Sequence, residues 1–310
     1  MPSNLRSPVA APLALLLVAA VWGSTFPISK DLLTRIPVSD YLAVRFALAA
    51  LVLALVNPRA VRRITRRQAL LGIQLGLIYG VAQWLQFAGL TTAAATVSAF
   101  LVSMYVVVTP LLAALVFRLP VSRQTQVAVV VAATGVMVMS LRGWSFGTGE
   151  TLTLLSSVLY AVHILTTGRL VRTGEAHVVT VMQMATISVL TALPTVPGGI
   201  EIPHGADWIP MLYLALAAGA LAMFVQAWAQ PRMGVAQASV VMVTEPVWAA
   251  VFAVAFWHEV LDARTLIGAA LVLAAAALVL LDPRRPRRLP AAVGAEQTPD
   301  PHPLPLNTKE

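Results

Sequence analysis

Apolar runs follow one another along almost the whole chain, separated by short polar interruptions. A helix needs about 20 apolar residues to cross a bilayer. By that measure the runs predict ten spans, at roughly 9–29, 38–56, 69–90, 95–117, 124–141, 151–168, 178–196, 208–229, 234–256 and 264–281. Residues 1–8 precede the first span. Residues 282–310 follow the last, basic and proline-rich from Pro283 to Arg288 and then polar, a composition that predicts disorder. The first run, behind Arg6, imitates a secretory leader, and Ala19-Ala20-Val21 imitates its cleavage site. With so many runs following, it is expected to remain as the first span.

Composition agrees with that pattern. The chain is 58% hydrophobic and 11% charged, against about 25% charged in soluble domains. An all-α integral membrane protein is expected. The net charge of +8 does not point to nucleic acid, because the arginines sit between apolar runs and at the two ends. They instead set an orientation. With the N-terminus inside, Arg6, Arg59, Arg62, Arg63, Arg66, Arg67, Arg118, Arg123, Arg169, Arg172, Arg232, Arg284, Arg285, Arg287, Arg288 and Lys309 are all cytoplasmic, sixteen of the 21 basic residues. Lys30, Arg35, Arg142 and Arg264 fall outside, and Arg45 falls within the second span. Both termini are therefore expected in the cytoplasm. No cysteine is present, which removes disulfides, thiolate metal sites and cysteine nucleophiles from consideration.

Two runs carry related interruptions, Val107-Val108-Thr109-Pro110 and Val243-Thr244-Glu245-Pro246. Proline inside a helix removes one amide donor and frees a carbonyl, so Pro110 and Pro246 are expected to mark helix breaks. Glu245 is the one carboxylate near the middle of an apolar run, and such groups are candidates for function by default. The halves echo each other. Trp22-Gly23 matches Tyr160-Ala161 at an offset of 138 residues, Pro110 matches Pro246 at 136, and Ala128 matches Gly268 at 140. Five spans per copy is an odd number, so the second copy is expected upside down relative to the first. Inverted repeats place a substrate site near the midplane.

Trp22-Gly23-Ser24, the Arg45-Phe46 pair, the Pro110 and Pro246 helices and the His258-Glu259 turn ahead of Gly268 together resemble the drug/metabolite transporter superfamily, and within it the EamA-type ten-helix members. The resemblance covers nearly the whole chain, with copies at about 9–141 and 150–281. It implies a carrier for amino acids, other metabolites, nucleotide sugars or drugs, often an exporter of the bacterial inner membrane. One departure is that the Phe117–Ser122 turn lacks an acidic residue matching Glu259.

Helical spacing groups the polar residues of the spans into stripes. Tyr79, Gln83 and Gln86 share one face of span three, and Gly72, Gly76 and Gly80 form a small-residue row suited to packing another helix. Ser98, Tyr105 and Thr109 share a face of span four; Ser156, Tyr160, His163 and Thr167 share one in span six. Trp22 and Thr25 occupy the matching place in span one, and Gln226 is the better candidate of span eight. Trp22, Thr25, Tyr79, Gln83, Gln86, Ser98, Tyr105, Tyr160, His163 and Gln226 are the expected substrate contacts, with interhelical hydrogen bonding as the alternative for each. Glu245 and His163 are the candidates for proton coupling. Arg45 and Glu245, the two charges inside the spans, are each costly unless paired or hydrated; an ion pair between them and a wet cavity are both open.

The His258-Glu259-Asp262-Arg264 loop supplies no set of metal ligands at helical spacing, and no metal or cofactor is expected. H-E-x-x-H and the phosphate-binding G-x-x-x-x-G-K-[ST] are absent. A secondary carrier of a small metabolite, proton-coupled or an uncoupled facilitator or drug efflux carrier, fits best. An intramembrane enzyme and a membrane scaffold are the alternatives. The expected partners are a small solute, a proton and the lipid bilayer, with the chain as a monomer or homodimer.

Overall fold

The structure is a computed structural model and describes residues 10–118, 121–142, 145–172, 174–222, 225, 229 and 241–281. Among the described residues every element is helical except a two-residue antiparallel ladder pairing Leu141 with Phe146 and Arg142 with Ser145. The helices are α1 (Ala10–Leu32), α2 (Val38–Val56), the short α3 (Pro58–Arg62), α4 (Arg66–Leu90), α5 (Ala95–Ser103), α6 (Tyr105–Phe117) and α7 (Arg123–Ser140). After the ladder come α8 (Thr148–Leu170), α9 (Ala176–Ala192), α10 (Trp208–Leu212, running on as π-helical turns over Tyr213–Leu221), α11 (Glu245–Trp257) and α12 (Ala263–Leu280). Among the described residues seven helical stretches, α5 and α6 counted together as one, have the length and hydropathy of a membrane span, and the regions Arg123–Met139, Gly205–Leu221 and Glu245–Trp257 are shorter apolar helices.

Local chemistry explains the ends. Thr65 and Gln68 form a reciprocal capping box that starts α4 three residues before its apolar run. Ser122 caps α7 through the Thr125 amide, and Asp262 caps α12 through the Thr265 amide. α6 and α11 both end on a left-handed residue, Arg118 (φ 52°) and His258 (φ 54°).

Element boundaries recur between the halves. α1 and α8 are both 23 residues long with starts 138 residues apart, and α2 and α9 start at the same offset. α6 and α11, both of 13 residues, and α7 and α12, both of 18, start at an offset of 140. This register corrects the expected pairing of prolines. Tyr105, not Pro110, stands opposite Glu245. The break in the fourth apolar run falls at Met104, and α6 passes through Pro110 without interruption. Pro246 does not break a helix either; it is the second residue of α11, where its missing amide hydrogen would have had no intrahelical partner. The break there lies before it, at the Val243-Thr244 turn. Pro27, inside α1, is a further proline that the spacing did not single out.

Contacts between the halves also come in exchanged pairs. α1 packs on α11, and its counterpart α8 packs on α5 and α6; α4 packs on α9, and α2 packs on the π-helical turns of α10. α7 packs on its own counterpart α12. The side chain of Gln124 donates to Leu278 O, Gly135 faces Gly268, and Arg264 donates to Val138 O, so these two helices run antiparallel. A Cβ on Gly268 would lie 2.7 Å from Gly135 O, which is why the crossing needs glycine. The glycine row of α4 works the same way against α9: a Cβ on Gly76 would meet Thr186 Cβ at 2.6 Å.

Candidate functional site

A cavity of about 430 Å³ lies at the centre, walled by both halves. That is within the range of small-molecule sites, roughly 300–1,000 Å³. α1 brings Trp22, Thr25 and Phe26; α2 brings Arg45, Phe46 and Ala49; α4 brings Tyr79, Gln83, Gln86 and Phe87; α5 and α6 bring Val102, Tyr105, Val106 and Thr109. The second half answers with Tyr160, His163 and Ile164 from α8, Met184 from α9, Leu214, Ala218 and Gly219 from α10, and Glu245 at the head of α11. Counterpart positions line it together: Trp22 and Tyr160, Thr25 and His163, Phe46 and Met184, and Tyr105 and Glu245.

Hydrogen bonds fix several of these walls. Trp22 Nε1 donates to Ala218 O at 2.8 Å, reaching a carbonyl in the π-helical turns of α10. Two residues on, Ser24 shares a hydrogen with the Tyr213 hydroxyl at 2.8 Å. Tyr160 donates to Gln86 Oε1, joining the halves across the cavity. The Tyr79 ring packs edge-on to Tyr160 and leans on His163, with centroids 5.2 and 4.8 Å apart. His163 Nε2 is 3.4 Å from Thr167 Oγ1. Thr25 and Thr109 turn their hydroxyls back to donate to Trp22 O and Tyr105 O.

The two charges on the cavity wall do not pair. Arg45, 9% exposed, donates to the Tyr41 hydroxyl at 2.9 Å. Tyr41 in turn shares a hydrogen with Ser29 at 2.7 Å. The guanidinium lies 5.5–5.8 Å from the ring centroids of Tyr41, Phe46 and Phe87. Neither Arg45 nor Glu245 takes part in the ion pairs seen among the described residues, such as Arg35–Asp31, Arg35–Asp207 and Arg67–Glu175. Glu245 sits where α1 and α11 come closest: a Cβ on Gly23 would lie 2.8 Å from Glu245 O.

Eight of the ten expected contact residues line this cavity: Trp22, Thr25, Tyr79, Gln83, Gln86, Tyr105, Tyr160 and His163. Ser98 does not. It lies one turn before Val102, the α5 residue on the wall, and is wholly buried with its hydroxyl unpartnered among the described residues. Gln226 lies outside the described residues. The spacing missed Phe26, Phe46 and Phe87, since an aromatic ring on an apolar helix carries no mark distinguishing cavity from lipid. It also missed Asp40, a carboxylate 4% exposed in the first turn of α2 with an unpartnered Oδ1.

A second cluster closes one end of the bundle. Glu259, just past α11, accepts from the Ala95 and Thr96 amides at 3.0 and 3.1 Å, capping α5 of the other half. Lys30 donates to Ala93 O beside it at 2.5 Å. The arrangement exploits the positive end of the helix dipole.

An all-helical membrane protein with a polar, aromatic-walled cavity between two similar halves has the form of a solute carrier. The chain belongs to the EamA-like transporter family, which matches it twice, over residues 10–141 and 147–281. It is similar to an uncharacterized transporter of Archaeoglobus fulgidus, 28% identical over 274 residues, which cover 87% of this chain and 86% of that one. A crystal structure whose name gives no function superposes with a TM-score of 0.60 at 18% identity, covering 87% of this chain and 96% of that chain. That likeness concerns the fold alone. The protein is thus a multi-pass membrane transporter.

Proposed function

We propose that the chain is a secondary carrier of the cytoplasmic membrane that exports a small metabolite, an amino acid or a related solute, by alternating access. In this reading ten spans form two inverted five-helix repeats, residues 9–141 and 150–281, with both termini and the tail in the cytoplasm. The recurring element boundaries, the exchanged contacts and the antiparallel α7–α12 pair support that arrangement. Rocking one repeat against the other exposes the shared cavity to each side in turn.

The observation that carries the proposal is Glu245: a carboxylate at a helix break, on the wall of the central cavity, with no hydrogen-bond or ion-pair partner among the described residues. An unpartnered carboxylate at such a site is stabilised by taking a proton, and it can release that proton when the cavity opens to water. Glu245 is the coupling group, with His163 beside Tyr79 as an accessory. Tyr79, Gln83, Gln86, Tyr105 and Tyr160 contact the substrate. In liposomes loaded with amino acids, an imposed proton gradient should drive flux through the native protein and not through Glu245→Gln. Equal gradient-driven flux in both would remove the proton from the mechanism and leave a facilitator.

A further inference from the structure

Arg45 has more donors than partners. Its guanidinium carries five N–H groups, of which one donates to Tyr41. The three surrounding rings attract the cation without filling its remaining donors. The side chain is more than nine-tenths buried and lies on the cavity wall. Asp40 on the same helix forms no ion pair with it, and neither does Glu245. A buried arginine without a counter-ion is expensive in hydrocarbon, so something in the working protein must match it.

The Ser29–Tyr41–Arg45 chain of hydrogen bonds also fixes the direction of the side chain. Tyr41 is fully buried, held edge-on by Phe87 at 5.2 Å, and Ser29 anchors its hydroxyl from α1. The result is a pre-set fork of N–H groups with no further partner among the described residues, a geometry suited to a carboxylate gripped at two points.

We infer that Arg45 is the carboxylate-binding group of the transport cavity, aimed by Tyr41 and Ser29, and that it selects substrates bearing a carboxylate beside an apolar or aromatic body. This rests on the proposed reading of the cavity as the substrate site. It adds a residue and a chemical group that the reading does not require. Phe46, Phe87 and Trp22 are placed to take the apolar body.

The test uses four probes differing at one end: phenylalanine, phenylacetate, phenylalaninamide and phenethylamine. Binding to the purified full chain is read by thermal stabilisation, and flux by liposome uptake. The two carboxylates should bind about tenfold or more tightly than the amide and the amine. Arg45→Gln should erase that difference. Tyr41→Phe leaves the charge in place and frees the fork, and should weaken the carboxylates alone, by about threefold to tenfold. Equal binding of acid and amide by the native protein, or an unchanged preference in a folded Arg45→Gln, would overturn the inference while leaving the carrier reading standing. No binding and no flux with any probe would sink both.

Discussion

The two halves place similar helices in the same register and then put opposite chemistry into the cavity between them. The first contributes Arg45, and its counterpart in the second is Gln183. The second contributes Glu245, and its counterpart is Tyr105. Duplicated backbone therefore supplies the shared chamber, and divergence at a few wall positions supplies one charge of each sign. The closing end shows the same asymmetry. Both α6 and α11 end on a left-handed residue, yet only the second turn carries a carboxylate, Glu259, that reaches across to cap a helix of the other half. α11 thus has a carboxylate at each end with different duties, one engaged by two amides and one unengaged.

Removing the unengaged carboxylate should have the largest effect. Glu245→Gln should lower gradient-driven flux about a hundredfold, which corresponds to about 2.7 kcal/mol, with thermal stability undiminished. Removing the engaged one should do the reverse. Glu259→Ala strips two charge-assisted hydrogen bonds from the start of α5 and should cost about 2 kcal/mol of stability; Glu259→Gln keeps an acceptor and should cost less. Both should retain the dependence of flux on the proton gradient, measured in the same liposomes. Gly23→Ala forces a methyl group against Trp248 Cβ and the α11 backbone. Separating α1 from α11 should cost about 1–2 kcal/mol in thermal unfolding. The smallest effect belongs to Arg67–Glu175, an exposed pair at the other end of α4. The hydrogen bond from Arg67 holds the Glu175 carboxyl below its ordinary range. Its contribution is therefore present above the ordinary glutamate pKa and disappears as pH falls through the lowered value. Melting curves of Glu175→Gln should differ from native by less than about 1 kcal/mol at neutral pH and merge with them in acid.

Much of this was legible in the chain. Apolar runs marked the chain as a multi-helix membrane protein because a bilayer demands long apolar stretches, and helical spacing gathered Tyr79, Gln83 and Gln86 onto one face that does line the cavity. The 138-residue echo between Trp22 and Tyr160 agrees with the helix starts, whereas the proline echo does not, because a proline near a helix start and one inside a continuous helix are different objects. Ser98 followed the same spacing as Tyr105, but periodicity says nothing of how far along a helix the cavity extends. The π-helical turns over Tyr213–Leu221 have no composition that marks them. The Glu259 cap joins residues more than 160 positions apart, and no local pattern announces such a contact.

Alternating access requires that the one chamber between the halves open to each side in turn. A chain without native cysteines permits a direct measurement. Thr25→Cys places a single thiol on the chamber wall, and a membrane-impermeant maleimide is applied to right-side-out and inside-out vesicles separately. Labelling from both sides, with the balance between them shifted by a proton gradient, is the predicted result. Labelling from one side only, whatever the gradient, would contradict it.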